Sequence, residues 1–570
     1  MTTGARYGEL SLIFAISACI AAAIVPWFYL PLCEPSLMDE GYQAVCVANY
    51  RQSPLAMLIF YIGNLWTRLC GDGLLSLRQL SCLEGYIAIF IGCFYYWWRV
   101  RRVKQAFWLF TLCAVGAALD RHSIYNWDTG AFMFYTIGCV AMLEYIRKPT
   151  AVKAMTIGVT TALVFLARFQ LIVLAPLLSV GFMVYGKNNI RRRVCHLCCF
   201  VAGAAVCFVI VTAAMCGSVQ EYIGAFQSDN IITGHGLKDL ARWCDVLKNN
   251  FSDRVIRWAV ALVSIPVGWW ITVSHGHRRS RFAVGVVLLV VAGWAQGCLA
   301  TVRSFCQFGM EVAMGGLMLF LLLLIPAYNV THKNRITLPL WPLGVLWIWF
   351  CVPAFGSDYW FVRYGAFYLL PLGMAVVYPA VAGHVKLRQL VVNVLCGALI
   401  GFCSALAGRF YVAVSNATYS LDEFPKLQGI YSSYDGYISW KRVQRIYELV
   451  ESTGARINLD GYRYAYQYSF QKTPLSNIQL FHVEDNETNI EGRRKVIGMY
   501  DAWLFTLTLP EATEGIAAML KENGFVMAWN GVADGGDHYQ LLVREPYVEP
   551  CRAALEIALS DGDSGICAEN

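Results

Sequence analysis

Charged residues are scarce in this chain: Asp, Glu, Lys and Arg make up 15% of 570 residues, while 57% are hydrophobic. The mean hydropathy of +0.49 is also far above that of soluble domains. This scarcity excludes a soluble globular protein. It gives no sign of nucleic-acid binding either, because the net charge of +7 comes from short basic clusters between apolar runs. The composition therefore predicts a polytopic α-helical membrane protein.

Several motifs of soluble-donor enzymes are missing as well. The predicted cytoplasmic connections contain no Walker loop, no G-x-S-x-G, no H-E-x-x-H and no D-x-D motif of nucleotide-sugar enzymes. Their absence disfavours a soluble nucleotide donor. No signal-peptide cleavage pattern is visible, so we expect the first apolar segment to stay as a membrane anchor. Internal repeats and low-complexity segments are also absent.

Apolar segments recur from residue 10 to residue 411, each of about the 20 residues that cross a bilayer. We predict about thirteen transmembrane helices within a membrane domain at residues 1–411. They lie near 10–30, 78–98, 105–119, 130–146, 151–167, 169–186, 194–216, 255–273, 282–300, 309–328, 338–353, 363–382 and 389–411.

Basic clusters fall on every second connection between these segments, at residues 99–104, 147–153, 187–193, 278–281, 333–335 and 386–388. By the positive-inside rule these connections are cytoplasmic. The first external loop, residues 31–77, and the tail, residues 412–570, then lie on the opposite side. We therefore predict a multi-pass protein of the inner (cytoplasmic) membrane whose C-terminal domain is external, in the periplasm.

The tail has no membrane-length apolar run and predicts a small soluble α/β domain. Its patterns indicate helices at Trp440–Ser452 and Glu514–Asn523, a strand at Ala455–Leu459, and a hairpin of Phe525–Trp529 with His538–Val543 around D-G-G-D. Four tyrosines, Tyr462, Tyr464, Tyr466 and Tyr468, alternate with a period of two, which is typical of one strand face. They would form the core of a small sheet or stack on a sugar.

The first external loop contains the acidic pair Asp39 and Glu40 at the start of a short helical pattern. A second pattern begins at Ser53 and Pro54 and ends at Gly71, with Ser as N-cap and Gly just past the end. Both patterns are amphipathic, so we expect two helices lying along the membrane surface. The acids either cap the first helix or carry chemistry on a lipid-borne substrate.

Other external connections are rich in ionisable groups. The connection Leu119–Gly130 holds Asp120, Arg121, His122 and Asp128, Arg168 lies between apolar residues, and Arg303, Asp358 and Arg363 lie at external turns. Capping, interfacial anchoring and snorkelling are the structural alternatives for these residues. A functional interpretation is that Arg binds a lipid phosphate bidentately and a carboxylate acts as the base. A divalent metal could bridge acid and phosphate through oxygen ligands.

The loop from Asp39-Glu40 through Pro54-Leu55 to Leu69-Cys70-Gly71 resembles that of the GT-C glycosyltransferases, in the bacterial branch of aminoarabinose transferase and protein O-mannosyltransferases. That family has D-E, then x-P-L, then L-F-G before its second span. The resemblance implies a GT-C-like helix arrangement, a polyprenyl-phosphate-linked sugar donor, and inverting transfer to a glycan, lipid or protein acceptor at the external face.

The resemblance also implies roles for individual residues. Asp39 would be the leading base, with Glu40 and Asp128 placing the acceptor, and Asp39 and Asp128 would hold any divalent metal. The family often has Lys before its Pro-Pro-Leu, whereas this chain has Arg51-Gln52-Ser53 before a single Pro54. The donor phosphate would therefore fall to arginines, namely Arg51, Arg168, Arg303 or Arg363. The residues expected to support the acceptor are Tyr42, Asp120, Arg121, His122 and Asp358.

Two other functions remain open at this point. A transporter or flippase of lipid-linked saccharides would need many membrane helices too, although transporters place charges near the midplane and repeat their halves. A lipid-oligosaccharide polymerase or ligase would share the donor, although such enzymes use a large late external loop. The late external connections of this chain are short.

Overall fold

The computed structural model describes residues 3–35, 39–119, 125, 127–168, 181, 189–228, 361–385, 387–389, 414–461, 464–471, 487–507, 514–533, 538–560 and 566–568, with single positions in 284–291 and 393–411. Within these residues, four helices are long and apolar enough to cross a membrane. They are α1 (Thr3–Tyr29, its apolar stretch running Ser11–Leu32), α4 (Leu74–Val100), α6 (Trp127–Arg147) and α8 (Ile190–Cys216). The chain is a multi-pass membrane protein.

The remaining described helices of the membrane part are shorter or interrupted by proline. They are α2 (Asp39–Ala48), α3 (Met57–Cys70), α5 (Val103–Leu119), α7 (Ala151–Ala167), α9 (Val219–Ser228) and α10 (Phe361–Val381). Of the thirteen predicted segments, those near 10–30, 78–98, 105–119, 130–146, 151–167, 194–216 and 363–382 correspond to described helices. The segments predicted near 169–186, 255–273, 282–300, 309–328, 338–353 and 389–411 lie wholly or largely outside the described residues.

Several helix ends that were predicted to lie on the external side of the membrane contact one another or the first loop. Arg78 near the start of α4 contacts the carbonyl of Leu30 at the end of α1. Asp128 in the first turn of α6 contacts Arg168, which directly follows α7. The sulfur of Cys216, the last residue of α8, lies 3.0 Å from that of Met57 in α3. These contacts place the starts of α4 and α6 and the ends of α1, α7 and α8 on the side of the first loop.

Helices α7 and α8 are in direct backbone contact through two glycines. A Cβ added at Gly158 would lie 2.0 Å from the carbonyl oxygen of Phe200, and one added at Gly203 would lie 2.5 Å from that of Met155. Only glycine fits such a crossing, and small residues are a common means of bringing membrane helices together. Helices α7 and α8 therefore pack as one unit, and the last residue of α8 contacts α3.

The first loop, residues 31–77, forms helices α2 and α3 at the two predicted positions. Ala44, Val45 and Cys46 of α2 are fully buried among the other residues of the chain, and so are Met57, Ile59 and Phe60 of α3. These residues therefore pack on protein, and the position of the two helices along the membrane surface stays a prediction. The residues before α3, Pro54–Ala56, form a 3-10 turn, and Ser53 does not cap it with its side chain. Gly71 ends α3 as predicted, with a φ of +99°.

The tail is an α/β unit with a five-stranded sheet of order β3-β4-β6-β5-β7. Its strands are β3 (Ile457–Gly461), β4 (Ala502–Leu507), β5 (Phe525–Ala533), β6 (His538–Arg544) and β7 (Ile566–Ala568), preceded by the small pair β1 (Tyr419–Ser420) and β2 (Tyr431–Ser432). Strands β3 and β4 are parallel, and the other neighbours are antiparallel. The hairpin of β5 and β6 confirms the predicted pairing, while the D-G-G-D turn itself lies outside the described residues.

The tail helices are α11 (Tyr434–Ser452), α12 (Tyr464–Phe470), α13 (Glu487–Val496), α14 (Glu514–Glu522) and α15 (Val548–Ser560). They cover both faces of the sheet. Trp503 and Phe505 of β4 pack with Leu520 of α14 on one face, whereas the intervening Leu504 belongs to the core that contains Trp440 of α11 on the other. This alternation is the period of two of a strand buried on both sides.

The prediction of a tyrosine-bearing strand was wrong, because residues 464–470 form helix α12. Tyr466 packs edge-on against Trp440, with ring centroids 4.5 Å apart, and stacks with Phe470 one turn later. The side chain of Gln467 donates to the carbonyl of Leu459 in β3. These contacts need helical spacing, and they override the strand preference of alternating aromatics. Tyr462 lies outside the described residues.

The tail packs on the first loop, so both lie on the same side of the membrane helices. Ser432 and Ser433 donate to the Glu34 carboxylate at 2.8 and 2.9 Å. Lys426 forms an ion pair with Asp72, whose carbonyl also accepts from the hydroxyl of Tyr468 in α12. Beneath these contacts, the buried residues of α2 and α12 belong to one hydrophobic core. The tail therefore packs directly against the first loop.

We expect Asp501→Asn to destabilise the tail in a pH-dependent way. Arg456 donates to the Asp501 carboxylate from Nε at 2.8 Å and from Nη2 at 3.1 Å, and this hydrogen bonding lowers the pKa of Asp501. Because a lowered carboxyl pKa stabilises the fold above its ordinary value, the stabilisation is lost as pH falls through the lowered value. The variant should lose about 1–2 kcal/mol near neutral pH and little in acid.

Thermal unfolding of the full-length protein over a pH series measures this difference. The control is Glu491→Gln, because Glu491 pairs with Arg494 where both side chains are exposed, and such pairs contribute little. A difference between D501N and the parent protein that does not shrink toward acid pH would contradict the assignment.

Candidate active site at the first loop

The central feature of the site is a buried ion pair between Glu40 in α2 and Arg78 in α4. Nε of Arg78 donates to Oε1 of Glu40 at 2.7 Å and Nη2 donates to Oε2 at 2.8 Å, with both side chains fully buried. This two-point geometry is the strongest form of an Arg–carboxylate contact. It fixes the start of α2 to α4.

The remaining hydrogen-bonding capacity of the pair is also used. Nη1 of Arg78 donates to the carbonyls of Leu30 at 2.9 Å and Cys33 at 2.6 Å, and Nη2 donates to that of Glu34 at 3.3 Å. The backbone N–H of Tyr125 donates to Oε1 of Glu40 at 2.9 Å. A buried ion pair with its donors and acceptors satisfied in this way is costly to disturb. The geometry favours a positioning role for Glu40.

Asp39, the leading base candidate, is the first residue of α2 and directly precedes Glu40. The ion pair therefore fixes the backbone that carries Asp39, while its side chain lies outside the described part. A carboxylate at the first position of a helix is stabilised by the helix dipole and the unpaired N–H groups.

Asp128 and Arg168 form a second buried ion pair beside the first. The side chains are 9% and 5% exposed, and Nη1 of Arg168 donates to Oδ1 of Asp128. The sequence suggested separate roles for the two residues, an acid of the acceptor site and an arginine of the phosphate site. The structure brings them together across the ends of α6 and α7, so an anion that binds Arg168 would compete with Asp128.

Aromatic and amide side chains connect the two pairs. Tyr42 of α2 packs edge-on against Trp127, with centroids 6.0 Å apart, and Phe60 of α3 contacts the same indole at 5.7 Å. The side chain of Gln43 accepts from the backbone N–H of Trp127. Since Trp127 precedes Asp128, these contacts place the start of α6 relative to α2. Tyr42 was predicted as a support residue, whereas Gln43 was missed.

The other predicted phosphate ligands are differently placed. Arg51 is exposed, and its guanidinium donates to the Tyr50 hydroxyl at 3.3 Å, which raises the pKa of Arg51. The backbone of Arg363 lies in the first turn of α10, and its side chain lies outside the described part. Asp120, Arg121, His122, Arg303 and Asp358 are not among the described residues.

The described carboxylates do not fit a divalent metal site. Arg168 is the cation beside Asp128, and Arg78 is the cation beside both oxygens of Glu40. Among the described residues, no set of three or more His, Cys, Asp or Glu side chains is arranged to hold a metal ion. The arrangement suits binding of an anion at arginine better than binding of a metal at carboxylates.

Sequence reasoning missed Arg78 and Glu84, both buried in α4. The rule that identified Arg168, an ionisable residue within an apolar segment, applies equally to these two. Tyr125 was also missed. Its hydroxyl is fully buried, and burial raises its pKa.

No protein-family model matches this chain, and no curated protein matches it. Among solved structures, it is similar to two crystal structures of ArnT from Cupriavidus metallidurans, one bound to undecaprenyl phosphate and one in the apo state. The identities are 11% and 12%, and each alignment covers 94% of this chain and 98% of the other with a TM-score of 0.38. This score is too low to establish a shared fold, so the function of this chain has to be inferred from its own residues.

We expect Glu40→Gln to destabilise the membrane part strongly, because it leaves the Arg78 guanidinium buried without a counter-charge. Removing one partner of a buried ion pair typically costs about 3–5 kcal/mol. The double variant Glu40→Leu with Arg78→Met removes both charges and should recover a large part of that loss.

Thermal unfolding in detergent measures both effects. The matched control is Glu549→Gln, because Glu549 pairs with Arg552 at the surface with its side chain 83% exposed. If E40Q and E549Q unfolded at the same temperature, the pair would not have the positioning role assigned to it.

Proposed function

We propose that this chain is an integral membrane glycosyltransferase of the GT-C type. It moves a sugar from a polyprenyl-phosphate carrier to a glycan, lipid or protein acceptor on the side of the membrane where the first loop and the tail lie. The observation that supports the proposal is that Asp39 is the first residue of α2 and directly precedes Glu40, at the end of the helices where Arg78 and Arg168 lie. The buried pair of Glu40 and Arg78 fixes that placement.

The reaction needs a base for the acceptor hydroxyl and a cation for the leaving phosphate. The acceptor oxygen attacks the anomeric carbon, the bond from that carbon to the phosphate oxygen breaks, and the configuration inverts. The acceptor proton goes to a carboxylate, and the polyprenyl phosphate leaves with one more negative charge. We assign the base to Asp39, since both oxygens of Glu40 are engaged by Arg78.

Arg168 is the proposed ligand of the donor phosphate, with Arg51 and Arg363 as further candidates. Its planar fork matches phosphate oxygens, and it directly follows α7, at the end of the helices where the first loop lies. Without phosphate, Asp128 is the anion paired with this guanidinium. Phosphate binding would exchange one anion for another at Arg168 without leaving this charge unpaired.

The same charges argue for an enzyme in preference to a transporter. One buried ion pair joins the first loop to the start of α4, and the other joins the start of α6 to the end of α7, at the same end of the helices. A transporter would use such groups near the midplane, between repeated halves. Transfer activity is therefore the first function to test.

Asp39→Asn should abolish sugar transfer because it removes the base while leaving the size of the side chain nearly unchanged. We expect a loss of at least about 100-fold, within the range for general bases. A reconstituted assay with a polyprenyl-phosphate sugar measures the rate. The control is Asp435→Asn, since Asp435 lies in the first turn of α11 and is exposed. Transfer by D39N at the rate of D435N would refute the assignment.

Arg168→Ala should weaken binding of polyprenyl phosphate by about tenfold or more, the scale of a charge-assisted contact. Asp128→Asn should retain binding, because it removes the carboxylate that competes for Arg168. The control is Arg147→Ala, at the far end of α6, where Arg147 pairs with Glu144. Equal affinity of R168A and R147A in a binding titration would assign the phosphate to another arginine.

A further inference from the structure

Three tyrosines form an exposed cluster on the tail. Tyr419 of β1 contacts two tyrosines of α11, with its ring centroid 5.1 Å from that of Tyr434 and 5.5 Å from that of Tyr437. Tyr419 and Tyr434 remain 39% and 55% exposed although their rings are in contact. Single apolar side chains are normal on a protein surface, whereas adjacent exposed ones indicate an interaction site. We call Tyr419, Tyr434 and Tyr437 the tyrosine cluster.

Two exposed charged side chains lie beside this cluster. The ammonium of Lys441, one turn after Tyr437 in α11, lies 4.7 Å from the centroid of the Tyr437 ring and 3.7 Å from the Glu423 carboxylate. A tyrosine has an apolar ring and a polar hydroxyl, and tyrosines are enriched at the boundary between membrane and water. Basic residues are attracted to anionic headgroups at the same boundary. The cluster therefore has the composition of a membrane-interface surface.

The contacts of the tail place the start of α11 near the end of a membrane helix. Tyr434 directly follows Ser432 and Ser433, which both donate to the Glu34 carboxylate. Strand β2 also contacts the 3-10 turn Leu30–Leu32. Since the apolar stretch of α1 ends in that turn, the start of α11 lies at the level where the chain leaves the membrane.

Apolar side chains that face outward from the protein lie near both contacts between the tail and the first loop. Phe28 and Ile24, in the last two turns of α1, are 75% and 50% exposed, as expected of side chains that face lipid. At the other end of the loop, Leu69 is 83% exposed and comes three residues before Asp72, which pairs with Lys426 of the tail. The side of the tail that meets the loop is therefore next to lipid-facing surface.

We propose that the tyrosine cluster, together with Lys441, is a surface through which the tail binds phospholipid headgroups beside α1. The rings and hydroxyls lie in the interfacial layer, and the Lys441 ammonium binds a lipid phosphate in exchange for the exposed Glu423 carboxylate. A lipid surface is favoured over a saccharide because the cluster lies at the level where a membrane helix ends. The inference does not depend on the proposed sugar transfer.

Photo-crosslinking of the full-length protein tests this contact. The protein is placed in nanodiscs of equal parts phosphatidylcholine and phosphatidylglycerol, with a photoreactive amino acid in place of Tyr434. The control carries it in place of Val526 of β5, which is 42% exposed. Mass spectrometry should find phospholipid adducts at position 434 and none above background at position 526. Equal adduct yields at the two positions, or crosslinks from position 434 to protein alone, would overturn the proposal.

Hydroxyl-radical labelling of the parent protein needs no variant. Tyr434 is exposed and Tyr547 is half-buried in the protein alone, so accessibility to water predicts faster labelling of Tyr434. Lipid contact in the nanodisc should reverse this order. Faster labelling of Tyr434 would overturn the proposal, and so would protection of Tyr434 that develops only when a soluble oligosaccharide is added.

The role of Lys441 is tested by the lipid composition of the adducts at position 434. Lys441→Gln should lower the share of phosphatidylglycerol among them by up to about fivefold, the effect of one Lys at an anionic surface. Lys495→Gln is the matched control, since Lys495 is an exposed lysine of α13, and it should leave the share unchanged. Equal shares in K441Q and K495Q would remove Lys441 from the proposed surface.

Discussion

The ion pair between Glu40 and Arg78 is the interaction on which the first loop depends. It joins α2 to α4, binds the carbonyls of Leu30 and Cys33 after α1, and reaches the connection before α6 through the backbone of Tyr125. Burying two charges contributes little net stability, but an arrangement that leaves either one unpaired is strongly disfavoured. The pair therefore acts mainly by excluding other positions of α2. As a result, the backbone of Asp39, the first residue of α2, has a fixed position.

The tail restricts the same helix from the opposite side. Buried residues of α2 and α12 share one core, and Glu34 and Asp72 at the two ends of the loop both bind the tail. The amino-acid composition changes near residue 411. One hydrophobic core nevertheless contains buried residues from both sides of that position. The tail and the membrane helices together hold the loop, so loss of either is expected to affect the acidic helix.

The sequence predicted those features that depend on local pattern and length. Apolar length identified the described membrane helices, Gly71 ended α3, and the hairpin of β5 and β6 followed from strand alternation around a turn. Pairings between distant residues were out of reach: Glu40 and Arg78 are 38 positions apart, and Asp128 and Arg168 are 40. Helix α12 was mistaken for a strand because its aromatic spacing suits both, and contacts with Trp440 and Leu459 decide between them.

The glycine contact between α7 and α8 has a mechanical consequence for Arg168. With the two backbones in contact at Gly158 and Gly203, neither helix can rotate or slide without the other. We therefore expect Arg168 at the end of α7 and Cys216 at the end of α8 to move together. Since Cys216 contacts Met57, a movement of α7 and α8 when a ligand binds at Arg168 would displace α3 as well.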